Sequence, residues 1–192
     1  MKYIKLFEEY NSPLTLIRGE GKNNSGNVDL FGKGLYLTDD LGVAKFYGDT
    51  IREYVIEGKI YDTTKPFTSS EFRKILFNID NILKTNICSK YLQEVIDYND
   101  GKLPKDTDID YIRLSWALDS RSEFYDVLKK NDLIYNNFNS YANVCSVINM
   151  ALNKMGYVGL KYSTTEIEDL EDVGLGDKNS YVIFDKNSIK TK

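Results

Sequence analysis

Two tyrosines, Tyr36 and Tyr47, stand eleven residues apart in the segment GKGLYLTDDLGVAKFYG, on either side of a Thr-Asp-Asp turn. GKGLYL reads as a short strand. DDLGVAKFYG reads as a helix closed by Gly48, with Asp39 or Asp40 as its N-cap. A strand and a returning helix that each present a phenol to one cleft form a slot for a planar, electron-poor ring. The same pattern also serves two aromatics packed into a core. Upstream, LTLIRG ends in Arg18 and Gly19. An arginine at a strand end offers a fork of donors to a phosphate or a ribose, and a glycine beside it lets a small amide reach the bare backbone. An exposed arginine before a turn glycine fits the same dipeptide. Glu166 and Glu168 form a Glu-x-Glu pair, and Asp169, Glu171 and Asp172 extend the negative run. Such a run is equally what a solvated loop looks like.

Composition narrows the chemistry. The chain has no histidine, which removes Ser-His triads, Cys-His dyads and His-ligated zinc and leaves no metal expected. Its two cysteines, Cys88 and Cys145, lie in apolar, helix-like stretches and read as reduced thiols of a cytoplasmic protein. A formal net charge of −4 argues against a broad phosphate-binding surface, though not against a local basic pocket. No stretch approaches the roughly twenty apolar residues of a membrane span, and MKYIKLFEEYNS carries too short an apolar run for a signal peptide. No membrane partner is expected.

The pattern along residues 1–192 is that of a single α+β domain. Strand-like, glycine-punctuated segments occupy about 14–64 and 156–190, and a helical lobe fills about 68–155. TIREYVIEGKIYD reads as one strand, or two joined at Gly58; GYVGLKYS is a strand and SYVIFDKNSIK the last one. These pieces are expected to pair into one or two small antiparallel sheets. In the lobe, TSSE (68–71) and SRSE (120–123) are capping-box patterns, DIDYIRLSWALD is helical, and Val144, Ile148, Ala151, Leu152 and Met155 form one apolar stripe. TTEIEDLEDVGLGDKN reads as a mobile acidic loop. No GxGxxG or GxxxxGK[ST] run is present.

GKGLYLTDDLGVAKFYG resembles the nicotinamide-site segment of the ADP-ribosyltransferase superfamily, above all its poly(ADP-ribose) polymerase-like branch. There a Gly-x-Tyr-Phe strand, here Gly34-Leu35-Tyr36-Leu37, is followed by a turn, a helix and an Ala-x-Tyr at this spacing. LIRGEG resembles the first motif of that family, EYVIEGKIYDTT its next strand pair, and GYVGLKYS with NSYVIFDKNSIK the closing strands of ADP-ribosyltransferase-like domains of phages and mobile elements. The resemblance covers about 14–64 and 156–190. It implies an ADP-ribosyltransferase-like fold with a helical insertion, and NAD⁺ as co-substrate.

By resemblance, Tyr36 and Tyr47 stack the nicotinamide, Gly19 and Gly34 belong to the cofactor site, Arg18 holds a ribose or phosphate, and Thr38 bonds the ligand at the mouth. Departures from the pattern include Arg18, Ala44 and Ser180. Arg18 follows the arginine-specific and toxin-like branches, Ala44 replaces a usual serine, and Ser180 stands where the polymerase-like branch has its glutamate. That glutamate stabilises the cationic ribose formed as nicotinamide leaves; Ser180 can hold the ribose without supplying charge. Glu168, with Glu166, is the alternative carboxylate, and Asp177 a further one. The implied function is mono-ADP-ribosyl transfer to a macromolecular acceptor, a protein first and a nucleic acid second, as a phage or mobile-element effector in the host cytoplasm. The alternative is a degenerate member of the fold that binds NAD⁺ or ADP-ribose, or acts as a protein inhibitor or interaction module.

Overall fold

The computed structural model describes residues 13–21, 30–98, 109–166 and 168–191. These fall into two compact units. Of the described residues, one unit contains the strands, from residues 13–21, Gly34–Asp62 and residues from Gly156 on; the other is helical, from residues 30–33 and Thr63–Met155.

The strand unit is one seven-stranded sheet, the first of the two expected alternatives but larger than the small sheets expected. Its strands are β1 (Leu14–Glu20), β2 (Leu35–Thr38), β3 (Thr50–Ile56), β4 (Lys59–Asp62), β5 (Tyr157–Ser163), β6 (Asn179–Ile183) and β7 (Ile189–Thr191), in the order β4-β5-β6-β2-β1-β3-β7. All neighbours are antiparallel except β4 and β5. TIREYVIEGKIYD does divide at Gly58, but β3 and β4 are no hairpin: β3 pairs with β1 and β7, whereas β4 crosses to the far edge beside β5. The last stretch is also two strands rather than one. The amides of Phe184 and Asp185 both turn to the Val158 carbonyl, each at 3.1 Å, which ends β6, and a 3₁₀ turn over Lys186–Ser188 leads into β7. One sheet face carries the core of Leu16, Leu37, Tyr54, Ile56, Tyr181 and Ile183.

A short helix, α1 (Leu41–Tyr47), follows β2. Of the two candidate caps, Asp40 is the N-cap, its Oδ1 accepting from Val43 N at 2.9 Å. The segment read as a mobile acidic loop is instead folded: a 3₁₀ turn over Thr164–Glu166 leads to a helix over Glu168–Asp172. Leu170 is fully buried, and the Thr164 hydroxyl donates to Leu175 O at 2.7 Å and accepts from Lys178 N at 2.9 Å. Those two anchors outweigh the polarity of the residues around them.

The helical unit comprises α2 (Ser69–Leu83), α3 (Ile87–Tyr98), α4 (Tyr111–Asp119), α5 (Ser122–Lys130) and α6 (Ser140–Lys154). Thr68 and Glu71 form the expected capping box. The second expected box is absent: the Ser120 hydroxyl donates backward to Ala117 O at 3.0 Å, and α5 starts after Arg121 with no side-chain cap. Helix α6 is buried on nearly every side, and its polar residues find partners: Tyr111 Oη donates to Asn149 Oδ1 at 2.9 Å, and Asn149 Nδ2 donates to Phe31 O at 2.7 Å. Cys88 and Cys145 are both free and buried. Among the described residues no helix is long and apolar enough to cross a membrane.

Candidate functional site

The joint between β1 and β2 distinguishes this sheet. The two strands share one paired position, Ile17 with Thr38, whereas β1 and β3 share seven and β2 and β6 four. Continued past that bridge, the antiparallel register would set Gly19 opposite Tyr36, and there the strands no longer pair. Side chains alternate between faces along a strand. Ile17, Gly19, Tyr36 and Thr38 therefore share one face, and Leu16, Arg18 and Leu37 the other. The register extends the first set across three strands, from Thr38 to Ser180 and from Ser180 to Tyr162, with Tyr36 beside Val182 and Val182 beside Leu160.

Helix α1 packs on this same face at β1. A Cβ on Gly19 would fall on the Ala44 carbonyl oxygen and lie 2.8 Å from Gly48 N; a Cβ on Gly48 would in turn fall on the Glu20 backbone. Gly19 thus admits the end of a helix, a reason beyond the bare-backbone approach expected from the sequence. Gly34 plays a similar part on β6, where a Cβ would fall on Val182 and sit 3.0 Å from the Ile183 carbonyl oxygen.

The structure brings Tyr36, Thr38 and Ser180 together and adds Tyr162, which sequence reasoning missed. Tyr36 and Tyr47 are both half-buried. Tyr47 also packs edge-on against Phe46, with centroids 5.3 Å apart. Burial pushes the Tyr162 phenol well above its usual range; nearby Tyr47 raises it further, and a hydrogen bond with the Ser180 hydroxyl pulls the other way. Tyr162 on β5 and Ser180 on β6 are thus cross-strand partners on one face, with Tyr47 of α1 near enough to act on the Tyr162 phenol electrostatically. Tyr162, Ser180 and Thr38 are each at most 4% exposed. Thr38 spends its hydroxyl locally, donating to Asn179 O at 2.7 Å and accepting from Asp40 N at 3.1 Å; its role is to tie β2 to β6 and to the start of α1.

Arg18 is not brought to this face; alternation puts it with Arg52 on the Leu16 side of β1. The side chains of Glu166 and Glu168 lie outside the described residues, so neither is placed against Ser180. Asp177 is exposed, with its carboxylate 3.8 Å from Lys178 Nζ. A carboxylate the sequence offered only as a cap is held firmly: Asp39 Oδ2 accepts from Tyr181 Oη at 2.9 Å and from Asn179 Nδ2 at 3.2 Å, on the face opposite Ser180. Burial, then the bond and charge of Asp39, then the charge of Asp62, hold the Tyr181 phenol up.

No family model and no curated protein matches the chain. Among solved structures, one described as the crystal structure of an anti-CRISPR protein aligns at 10% identity and a TM-score of 0.39, covering 95% of this chain and 97% of that one. Likeness at that level carries neither fold nor activity across, and the site stands on its own geometry.

The buried hydroxyls and thiols give an expected pH response. Burial pushes the Cys145 thiol from an ordinary 9.0 up to about 11, and raises Cys88 as well. A group whose folded value is raised stabilises fully below its unfolded value and loses that contribution as pH rises through the folded one. Stability should hold in this respect below about pH 9, then fall by up to about 1.4 kcal/mol per pH unit for each such group, first from the thiols and then from Tyr162 and Tyr181. Urea denaturation at about pH 8 and about pH 10.5 checks it; an unchanged midpoint would contradict the burial of these groups.

Proposed function

We propose that this chain has an ADP-ribosyltransferase-like fold, binds NAD⁺ at the β1–β2 joint and transfers its ADP-ribose to a macromolecular acceptor, a protein in the first instance. The observation that supports this most is the shared face of Tyr36, Thr38, Ser180 and Tyr162 beside a joint held by a single bridge, the face on which α1, ending in Tyr47, is seated at Gly19. In this reading Tyr36 and Tyr47 stack the nicotinamide. Ser180 meets the adjoining ribose. Arg18, which alternation turns to the other face of β1, is the arginine that the resemblance assigns to a ribose or phosphate. Glu168 or Glu166 supplies the carboxylate for the developing ribose cation. An effector role in a host cytoplasm goes with the resemblance to phage domains.

A second reading, a binder of NAD⁺ or ADP-ribose without turnover, is favoured by one observation: the position of the family's glutamate holds a buried serine engaged by a phenol. Incubation with NAD⁺, alone and with host lysate, separates the two. Label transferred to an acceptor supports the transferase. Binding without nicotinamide release supports the binder, and the absence of both binding and release overturns each. Tyr36→Ala should weaken NAD⁺ by about 1–3 kcal/mol, the usual cost of losing an aromatic anchor; calorimetric titration of the folded variant reads it, and unchanged affinity would remove Tyr36 from the site.

A further inference from the structure

The outer face of α2 sets one aromatic ring among cations. Positions 73, 74, 77, 81 and 84 recur at spacings of three and four and so lie along one stripe. They hold Arg73, Lys74, Phe77, Asn81 and Lys84, the last at the C-cap, and all five are exposed. Phe77 is 65% exposed, a large apolar ring held in water. Among the described residues, none of the three cations has a carboxylate within ion-pair distance. The two acidic residues of α2 are used elsewhere: Glu71 in the Thr68 cap, and Asp80 on the first amides of α3. From these observations we infer that this stripe docks single-stranded nucleic acid, with one base stacked on Phe77 and phosphates held by Arg73, Lys74 and Lys84. The composition of the stripe favours this occupant over an acidic protein. A stable protein interface needs an apolar core of several side chains within roughly 800 Å² per partner, and the stripe offers a single ring with cations on both sides. A single ring face is what a base needs. Asn81, one turn beyond Phe77, offers its amide to a base edge. A net charge of −4 argues against a broad phosphate-binding surface, not against three unpaired cations gathered on one helix face. Nucleic acid bound here needs no part of the proposed NAD⁺ site.

Fluorescence anisotropy of the full chain with a labelled oligothymidylate of about 15 nucleotides tests this. Wild-type protein should bind it at about 50 mM salt, with an affinity that falls as salt rises along a logarithmic slope of about −2, the value for three phosphates neutralised on a single strand. The double variant R73A/K74A should flatten that slope to about −0.7. F77L keeps an apolar side chain and removes the flat ring; it should weaken binding about fivefold or more at every salt concentration and leave the slope unchanged. F77A should do the same. Alanine and leucine both favour a helix, so these exposed substitutions leave α2 folded. K154A removes an exposed cation of α6 off the stripe and should change nothing. No binding at about 50 mM salt overturns the inference. So does an F77L variant that binds like wild type, or a loss in K154A equal to that in K74A. A duplex of the same length bound as tightly as the single strand rules out the stacked base and overturns it too. A polyglutamate peptide bound more tightly than the oligonucleotide overturns it in favour of an acidic protein.

Discussion

Replacing Gly19 by alanine is expected to destabilise the protein by about 3 kcal/mol or more, at the upper end of overpacking costs. The added methyl would coincide with the Ala44 carbonyl oxygen, a backbone atom within α1 that cannot swing aside as a side chain can. The same carbonyl accepts from Gly48 N at 3.1 Å, so moving it also loosens the helix end. Helix α1 must lift from β1, and Tyr47, its last residue, moves with it. If Tyr47 stacks the nicotinamide as proposed, the variant loses NAD⁺ binding as well as stability. Gly156→Ala is the control. Gly156 has φ of 88° but open space where the Cβ would be, so its cost is conformational strain alone, about 1 kcal/mol. Urea denaturation ranks the two; equal costs would contradict the seating of α1 on Gly19.

Asp80→Ala should cost about 2–4 kcal/mol, through loss of a buried carboxylate that satisfies several donors. Asp80 sits in α2 but caps the start of α3. Its Oδ1 accepts from Cys88 N at 2.9 Å, and its Oδ2 accepts from Ser89 N at 2.9 Å and from Ser89 Oγ at 2.5 Å. The first amides of a helix have no partner within the helix, and here one side chain of the preceding helix meets two of them. Alanine strands the buried Cys88 amide and leaves the Ser89 amide, at the protein surface, to water. Asp80→Asn keeps one acceptor oxygen and replaces the other with donors that face donors, so it should fall between wild type and alanine. Thermal unfolding gives the order, and an Asp80→Ala variant as stable as wild type would show that water replaces the carboxylate freely.

Local signals were legible where one stretch of chain settles its own hydrogen bonds. Asp40 ahead of Leu41 and Thr68 ahead of Glu71 could be read as caps because the bonded amides lie three residues on. SRSE had the same signature and failed, because Ser120 closes α4 and the N-cap position of α5 falls one residue later, on Arg121. The acidic stretch after Ser163 misled because charge count hides two anchors, Leu170 and Thr164. Of the candidate site, alternation within a strand already separates Tyr36 from Leu37. It does not say which strand lies beside which, and that register brings Tyr162 to Ser180 and turns Arg18 away. Nor does spacing distinguish a glycine that admits a ligand from one that admits a helix; for Gly19 that took the position of the Ala44 carbonyl.

The face shared by Tyr36 and Ser180, with Tyr47 from α1, is proposed to receive the nicotinamide end of NAD⁺. A crystal structure of the full chain grown with saturating NAD⁺ tests it most directly. The expected density is a nicotinamide ring lying between the phenols of Tyr36 and Tyr47, with its ribose hydroxyl toward Ser180. Both rings packed only on protein, with the ligand absent or bound elsewhere, would contradict it.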